Sequence, residues 1–138
     1  MTVLTPGDID IGWRTVWMEA RGESREGKEA VVHVLFNRLE YRIGDRWNTI
    51  AQVCLDWLQF SGWRENDPSF VKAQTIDLNT SSARTALGAF LAAWSQRPTD
   101  PTKGSRHYYA DSIPAPKWAV GHQPCLVLGH HRFFNDVA

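Results

Sequence analysis

The sequence lacks the charge excess and the long apolar runs that mark nucleic-acid-binding and membrane-spanning proteins. Its 138 residues include 15 Lys and Arg and 15 Asp and Glu, so the formal net charge is +0. Without a basic excess, the chain lacks the electrostatic attraction for phosphate on which general nucleic-acid binders depend. No apolar run reaches the roughly 18 residues of a membrane span. We therefore expect no nucleic-acid partner and no membrane anchor.

Cysteine is also scarce, and the start of the chain carries no export signature. Cys54 and Cys125 are the two cysteines, and neither belongs to a CxxC motif. This excludes a disulfide scaffold and favours two free thiols, although the spacing leaves open whether the two cysteines pair. The first ten residues lack the basic start and the apolar stretch of a secretory signal. We therefore expect the protein to be made in a cytoplasm.

Helix-starting signals dominate the first two thirds of the chain. A capping residue followed by apolar residues at helical spacing predicts five helix starts, at Thr5, Ser24, Thr49, Asp67 and Thr80. Thr49 and Gln52 have the form of a capping box, and Pro6 suits the first position of the first helix. The first helix is expected to stop near Gly22, because glycine favours a helix end.

Strand-like segments replace the helical pattern near residue 97. The prolines and the glycine of RPTDPTKG break the pattern, and RHYYA, KWAV, CLVL and HRFF then read as short strands. Gly129 and His130 suit the tight turn of a hairpin between the last two segments. The sequence predicts one α+β domain over residues 1–138, mainly helical, with a small antiparallel sheet at its C-terminal end.

The segment EARGE, at residues 19–23, is the most unusual cluster of charged residues. If the first helix stops near Gly22, Glu19 lies in its last turn, where the helix dipole raises the carboxyl pKa. The neighbouring Trp17 and Met18 act in the same direction by desolvation. A carboxyl group kept protonated near neutral pH is what a glycosidase needs to protonate the leaving sugar oxygen, as lysozyme does. On spacing alone, the alternative is a surface ion pair between Glu19 and a neighbouring arginine.

Several motifs, taken in order along the chain, resemble those of one enzyme family. They are EARGE at 19–23, EGKEAVVHVLFNRL at 26–39, QFSGW at 59–63, DPT at 100–102, HYYA at 107–110, KWA at 117–119 and LGHHRFF at 128–134. Each motif is weak alone, but the ordered set resembles the SleB-type cell wall hydrolases, which include spore cortex-lytic enzymes. The resemblance covers nearly the whole chain.

The resemblance implies an enzyme that cleaves peptidoglycan glycan strands between N-acetylmuramic acid and N-acetylglucosamine, as a lytic transglycosylase or as a muramidase. It also implies a lysozyme-like helical core and a catalytic acid at the first glutamate of EARGE, which is Glu19. Spore enzymes of this family carry a secretion signal and a wall-binding module as well, and this sequence shows neither. We therefore expect a phage endolysin that reaches the cell wall from the host cytoplasm through a holin-type partner, or a similar enzyme of a prophage or a gene-transfer particle.

The number of carboxylates at the site decides between the two mechanisms. Standard glycosidases use two carboxyl groups about 5 to 9.5 Å apart across the sugar. Glu23 and Asp56 are the candidates for a second one, but Gly22 interrupts the helix between Glu19 and Glu23, so spacing does not give their separation. If no second carboxylate faces the sugar, the muramic acid closes on itself to a 1,6-anhydro product. The resemblance favours this single-acid lytic scheme.

The predicted sugar-binding residues combine polar groups with aromatic rings. They are Gln59, Phe60, Ser61, Trp63, Tyr108 and Tyr109. Amide and hydroxyl groups suit the N-acetyl and hydroxyl groups of aminosugars, and aromatic rings stack on sugar faces. Tyr108 and Tyr109 point to opposite faces of a strand, so we expect one in the cleft, while Phe60 and the other tyrosine can equally serve the core. Asn37 and Arg38 are expected to bond loops to the second helix.

Two other classes of protein fit the sequence less well. The histidines of the last third raise the question of a metal-dependent hydrolase, but only His122-x-x-Cys125 approaches a zinc motif, so we expect no metal and no cofactor. His131 belongs to the matched tail and is expected near the cleft. A non-catalytic glycan-binding module accounts for the seven tryptophans but leaves EARGE unexplained.

Overall fold

The protein folds into a block of helices followed by a small sheet. A computed structural model describes residues 3–42, 45–56, 60 and 63–137. In these residues the helices are α1 (Pro6–Glu19), α2 (Arg25–Arg42), α3 (Ile50–Leu55), α4 (Phe70–Thr75) and α5 (Ser81–Ser95). The strands are β1 (His107–Ala110), β2 (Leu126–Leu128) and β3 (His131–Phe134). The predicted α+β class, with a small antiparallel sheet at the C-terminal end, is confirmed.

The helices begin mostly where the sequence places their caps. The Thr5 hydroxyl accepts a hydrogen bond from the Asp8 N–H, and the Asp8 carboxylate accepts one from the Thr5 N–H. Thr49 and Gln52 form the second capping box in the same way. The Thr80 hydroxyl caps α5. These local bonds satisfy N–H groups that have no partner inside a helix, which is why they mark helix starts so clearly.

Two elements differ from the sequence prediction. The fourth helix starts at Phe70 rather than beside Asp67, because the Asp67 carboxylate accepts from a backbone N–H in a turn that precedes the helix. KWAV was expected to be a strand, and this is wrong: it forms a 3-10 turn over Lys117–Ala119, closed by a hydrogen bond to the Pro116 carbonyl. Four residues are too few for periodicity to separate a strand from one helical turn. The turn packs the Trp118 ring onto the sheet.

The helices α1, α2 and α5 share one apolar core. Trp13, Val16, Leu35 and Phe90 are buried in it. Gly12 of α1 lies against the Phe90 ring of α5 so closely that a side chain at position 12 would overlap the ring. At the C-terminal end of α1, Ala20 belongs to a second apolar cluster with Ala30 and Val31 of α2. None of the described helices is both long enough and apolar enough to cross a membrane.

The sheet has the strand order β1-β3-β2, and both pairs are antiparallel. In the register, Tyr108 lies opposite Phe133 and Ala110 lies opposite His131. The Phe133 ring is buried against α2, which fixes the sheet on the helical block. Gly129 adopts φ +59° in the turn between β2 and β3, so the predicted hairpin is confirmed. Because β1 is an edge strand, one of its sides has no neighbouring strand in the sheet.

Asn37 and Arg38 tie α2 to the segment before β1, as the sequence analysis expects. The Asn37 side-chain amide donates to the Asp100 carboxylate at 2.8 Å and to the Ser105 carbonyl at 3.0 Å. The Arg38 Nε donates to the Arg106 carbonyl at 2.7 Å. These bonds fix where β1 begins relative to the helices.

Both cysteines are free thiols, as predicted. Cys54 is buried in the helical core, and burial raises the pKa of its thiol to about 12. Cys125 is partly buried, with its Sγ 3.1 Å from the Ser105 Oγ. A thiol with so high a pKa stays protonated at neutral pH and behaves as a small apolar side chain.

Candidate active site

Glu19 is the last residue of α1, and its carboxyl group is enclosed between the helices and the sheet. The Tyr108 hydroxyl donates a hydrogen bond of 2.6 Å to Glu19 Oε1. Burial raises the pKa of Glu19, while the Tyr108 hydrogen bond and the charge of Arg38 act to lower it and Asp67 acts to raise it. The net shift is upward, as the position at a helix end predicts, although burial and not the helix dipole is its leading cause. Glu19 is therefore suited to hold a proton near neutral pH.

A cleft of about 340 Å³ opens beside the Glu19 carboxyl group. Its volume falls within the range of pockets that bind small ligands. The charged, polar and aromatic residues along its walls are Glu19, Arg38, Phe60, Tyr108, Tyr109, Trp118 and His131. Helices supply the two charged groups and the sheet supplies most of the rings, so the cleft lies between the two blocks of the fold.

Both tyrosines of β1 line this cleft. The Tyr108 ring faces α1 and bonds Glu19, and burial raises the pKa of Tyr108 well above 10.0, so it remains a hydrogen-bond donor. The Tyr109 ring stacks on Phe134 at 5.7 Å and lies 5.8 Å from the Trp118 ring. We expected one tyrosine in the cleft. Both line it, and they belong to β1, an edge strand of the sheet.

Arg38 reaches the cleft from α2. Its guanidinium carbon lies 5.2 Å from the centre of the Phe60 ring and 5.9 Å from that of Tyr108. Its Nη1 is buried and has no hydrogen-bond partner among the described residues. Burial lowers the pKa of Arg38, while Tyr108 and Glu19 act to raise it, and a guanidinium remains charged in such surroundings. Arg38 therefore places a positive charge next to Glu19.

His131 contributes a buried ring to the cleft, where the sequence analysis expected it. Its ring meets that of Tyr108 edge to face at 5.0 Å. Burial lowers the pKa of His131, although the nearby Glu23 acts to raise it, so the imidazole is neutral at pH 7. The Nδ1 atom lies 3.8 Å from Glu23 Oε1 and has no hydrogen-bond partner among the described residues.

The two candidates for a second carboxylate lie outside the cleft lining. Both oxygens of Glu23 accept hydrogen bonds from His130, one from its backbone N–H and one from its ring, each at 2.8 Å. Burial alone would raise the pKa of Glu23, but these bonds lower it on balance. Asp56 accepts from Arg46 and from the Trp47 ring N–H, both at 3.0 Å. Neither carboxylate is among the cleft-lining residues that the structure describes.

The QFSGW segment is only partly described. Phe60 lines the cleft and is also buried in the helical core, so it serves both of the roles considered for it. Trp63 packs against the same core, and its ring N–H donates to the Thr15 hydroxyl at 2.9 Å. Gln59 and Ser61 lie outside the described residues. The sugar-binding roles of this segment stay predictions.

The histidine-rich tail does not form a metal centre in the part of the chain that the structure describes. No three His, Cys, Asp or Glu side chains of that part are grouped as ligands of one ion. His122 instead lies 3.1 Å from the Asp136 carboxylate, and His130 bonds Glu23.

Comparison with known proteins identifies the family. The sequence profile described as Cell Wall Hydrolase matches residues 22–134, which is most of the chain. The chain belongs to the cell wall hydrolase family. The match begins at Gly22, so the role of Glu19 depends on its geometry. None of the curated proteins matches the sequence.

Two solved structures share the fold of this cell wall hydrolase. The first is the catalytic domain of the germination-specific lytic transglycosylase SleB from Bacillus anthracis, with 26% identity and a TM-score of 0.71 over 95% of this chain and 96% of that one. The second is the catalytic domain of the Bacillus cereus SleB protein, with 25% identity and a TM-score of 0.73 over 97% of this chain and 94% of that one. The predicted resemblance to SleB-type hydrolases is confirmed, and the chain is an enzyme of this family.

Arg38 and Trp118 are residues of the hydrolase cleft that the sequence analysis did not assign to it. Arg38 was expected only to bond a loop; its Nε does so, and the residue also lines the cleft. An arginine within the apolar run of α2 was the available signal, because a charged residue in a buried stripe needs a partner there. Trp118 gave no such signal, since its segment was taken for a strand.

Proposed function

We propose that this cell wall hydrolase is a lytic transglycosylase that cuts peptidoglycan glycan strands between N-acetylmuramic acid and N-acetylglucosamine, with Glu19 as its one general acid and base. The observation that carries the proposal is the partly buried Glu19 carboxyl group, which lines the cleft, has a raised pKa and accepts a hydrogen bond from Tyr108. No other carboxylate is among the described residues that line this cleft. The likeness to the SleB catalytic domain of B. anthracis, named a lytic transglycosylase, supports the same reaction.

The first step is protonation of the glycosidic oxygen. Because Tyr108 donates to Oε1, the acidic proton of Glu19 rests on Oε2. Glu19 transfers this proton to the oxygen that links the muramic acid C1 to the glucosamine C4. The C1–O bond breaks, the glucosamine leaves with a free hydroxyl group, and positive charge develops on the muramic acid ring.

The second step closes the muramic acid on itself. The C6 hydroxyl attacks C1, and its proton passes to the Glu19 carboxylate, which restores the acid and yields a 1,6-anhydro end. Atoms balance without water, so one carboxyl group serves as acid and then as base. Between the steps Glu19 is ionised, and the Tyr108 hydrogen bond and the Arg38 charge stabilise it in that state.

Hydrolysis by a muramidase is the second candidate function. It needs a group that activates water on the face of the sugar opposite Glu19, or a nucleophile at close range. Both oxygens of Glu23 and the Oδ2 of Asp56 accept hydrogen bonds from other parts of the fold, and neither residue lines the described cleft. We therefore favour the lytic scheme. A non-catalytic glycan-binding module does not account for an acid with a raised pKa in the cleft.

The test is mass spectrometry of the soluble products that purified peptidoglycan releases with the wild type and with Glu19→Gln. We expect 1,6-anhydromuramic ends from the wild type and at least about a hundredfold less product from Glu19→Gln. Glu26→Gln is the matched control, because Glu26 is exposed on α2 and outside the cleft lining. Reducing muramic ends would make the enzyme a muramidase, and undiminished cleavage by Glu19→Gln would remove Glu19 from the mechanism.

For the biological setting we propose phage-driven host lysis, in which a holin-type pore gives the enzyme access to the wall from the host cytoplasm. The experiment is inducible expression inside a bacterial host, with and without a holin. We expect the culture to clear only when both are expressed, and clearing to be absent with Glu19→Gln. Lysis without the holin would show another route to the wall.

A further inference from the structure

The turn between β2 and β3 rests directly on the Glu23 carboxylate. Glu23 lies in the connection between α1 and α2, and only 6% of its side chain is exposed. The backbone N–H and the ring of His130 hold its two oxygens. Gly129, the preceding residue of the turn, is so close that an added Cβ would overlap Glu23 Oε1. Each oxygen of this buried carboxylate accepts a hydrogen bond from His130, so Glu23 has a structural partner in the turn.

The connection that carries Glu23 is itself held in place. The ammonium group of Lys28, a buried residue of α2, donates to the Glu23 carbonyl. The Ser24 hydroxyl accepts from the Gly27 N–H at the start of the same helix. Glu23 therefore offers the hairpin an anchor that is fixed to the helical block.

A short series of contacts leads from this anchor to the proposed catalytic acid. His131 directly follows His130 and is the first residue of β3. The centre of its ring lies 5.0 Å from that of the Tyr108 ring. Strand pairing sets Ala110 opposite His131 and so fixes β1 on the anchored hairpin. The Tyr108 hydroxyl then reaches Glu19 Oε1 at 2.6 Å. A displacement of the hairpin would therefore move the Tyr108 hydroxyl relative to the Glu19 carboxyl group of α1.

We propose that Glu23 is a positioning residue for the reaction: by anchoring the β2–β3 turn, it holds the Tyr108 hydroxyl on the Glu19 carboxyl group. The inference rests on the proposed function of Glu19. It assigns Glu23 a role different from that of a second catalytic carboxylate, and the two roles predict opposite behaviour of a glutamine variant.

The pH dependence of activity is sensitive to the hydrogen bond between Tyr108 and Glu19, because this bond affects the Glu19 pKa. Three groups face Glu19 from different elements: Tyr108 of β1, Arg38 of α2 and Asp67 from the segment before α4. The Tyr108 hydrogen bond lowers the Glu19 pKa against the effect of burial. Loss of that bond lets the pKa rise further. Since the first step needs protonated Glu19, the alkaline limb of kcat/KM then moves to higher pH.

The test compares Glu23→Ala, Glu23→Gln and Tyr108→Phe on soluble glycan strands. Glutamine keeps an oxygen for the His130 N–H and an amide N–H for a neutral ring, so we expect Glu23→Gln to retain activity within about threefold. Glu23→Ala removes the anchor. We expect it to lower kcat about tenfold and to move the alkaline limb in the same direction as Tyr108→Phe. In the double variant, Tyr108→Phe with Glu23→Ala, the limb should move no further than with Tyr108→Phe alone.

A milder variant and a control keep the test independent of folding. The His130 side chain is 72% exposed, so His130→Ala should fold, and we expect a smaller shift in the same direction. His122→Ala removes another histidine–carboxylate pair of the tail, His122 with Asp136, and should leave the limb unchanged. Thermal melts of every variant identify loss of folded protein.

Three outcomes would overturn the inference. The first and the third leave the proposed function intact, whereas the second would also remove its single-acid scheme. One is an alkaline limb unmoved in both Glu23→Ala and His130→Ala, which would leave Glu23 a structural role only. Another is a Glu23→Gln variant as inactive as Glu19→Gln, which would make Glu23 a catalytic carboxylate. The third is a shift in the double variant that adds to that of Tyr108→Phe. Full activity of Glu19→Gln would instead overturn the proposed function.

Discussion

A carboxyl group as enclosed as that of Glu19 costs the folded protein stability once it ionises. Its pKa lies above 4.5 in the folded state because burial disfavours the charge. Between the unfolded and the folded pKa, the folded protein binds more protons than the unfolded chain does. The free energy of unfolding therefore falls as the pH rises through that window. Enzymes commonly hold such strained groups at their sites.

This effect predicts that Glu19→Gln stabilises the protein while it removes activity. Glutamine is neutral at every pH and can still accept the Tyr108 hydrogen bond. We expect Tm to rise by roughly 2 to 5 °C at pH 7.5 and to be unchanged near pH 3, where Glu19 is protonated in both states. Thermal melts at the two pH values measure it. An equal change in Tm at both would show that ionisation of Glu19 is not the cause.

The sequence predicts Glu19 and misses the second charge of the site, for a physical reason. Glu19 stands in a local motif at a helix end, where neighbouring residues already indicate a raised pKa. Arg38 acquires its place only when α2 packs beside Phe60 and Tyr108, two residues far away in the chain. Spacing along a helix tells which face a residue occupies, but it does not tell what covers that face.

At the scale of single elements, α1 shows that side-chain packing can outweigh helix propensity. Both Gly7 and Gly12 are helical, so alanine at either position should gain about 0.5 to 1 kcal/mol of helix propensity. At Gly7 a Cβ meets the Thr5 hydroxyl at 3.7 Å, an ordinary contact. At Gly12 a Cβ overlaps the buried Phe90 ring. Gly7 is exposed in the first turn of α1, whereas Gly12 is buried, so an added side chain meets different surroundings at the two positions.

We expect Gly7→Ala to be neutral or slightly stabilising and Gly12→Ala to destabilise the protein by about 1 to 3 kcal/mol. Urea unfolding of the two variants measures the difference, with Gly7→Ala as the matched control for propensity. Equal stabilities would mean that Phe90 moves aside at little cost. The close crossing of α1 and α5 would then not depend on glycine.

Elements defined by local hydrogen bonds were the ones that the sequence predicted well. The capping boxes at Thr5 and Thr49 use side chains within three residues of the helix start, and both helices begin as expected. The segment around Trp118 was taken for a strand. Its conformation depends on rings of β1 and β3 that lie elsewhere in the sequence. Long-range packing therefore decides the short apolar segments that local pattern leaves ambiguous.

At the scale of the whole molecule, the cleft depends on two joints between the helical block and the sheet. Glu23 with His130 forms one joint, at the β2–β3 turn. Asn37 with Asp100 forms the other, where α2 meets the segment that leads into β1. The sequence analysis expected the second joint from Asn37. The joints matter for function because Glu19 and Arg38 belong to one block while Tyr108 belongs to the other.

Because of the Asp100 joint, the free energy of unfolding is expected to fall at acid pH. Burial acts to raise the pKa of Asp100, but hydrogen bonds from Asn37, Thr102 and Gly104 lower it on balance. A lowered pKa in the folded state contributes stability that is fully present above the unfolded pKa, near 3.8. It is lost as the pH falls through the still lower folded value.

Replacement of this carboxylate should therefore lower the free energy of unfolding only at pH values at which Asp100 is ionised. We expect Asp100→Asn to lower the free energy of unfolding by about 1 to 3 kcal/mol at pH 6, because an amide cannot accept all of these hydrogen bonds. The deficit should shrink below pH 3.8, where the wild type loses the same charge. Urea unfolding from pH 6 to pH 2.5 measures it, with Asp45→Asn as the control, since Asp45 forms an exposed pair with Arg42. A deficit independent of pH would mean that Asp100 acts through shape alone, and the joint would then hold the two blocks together without the aid of charge.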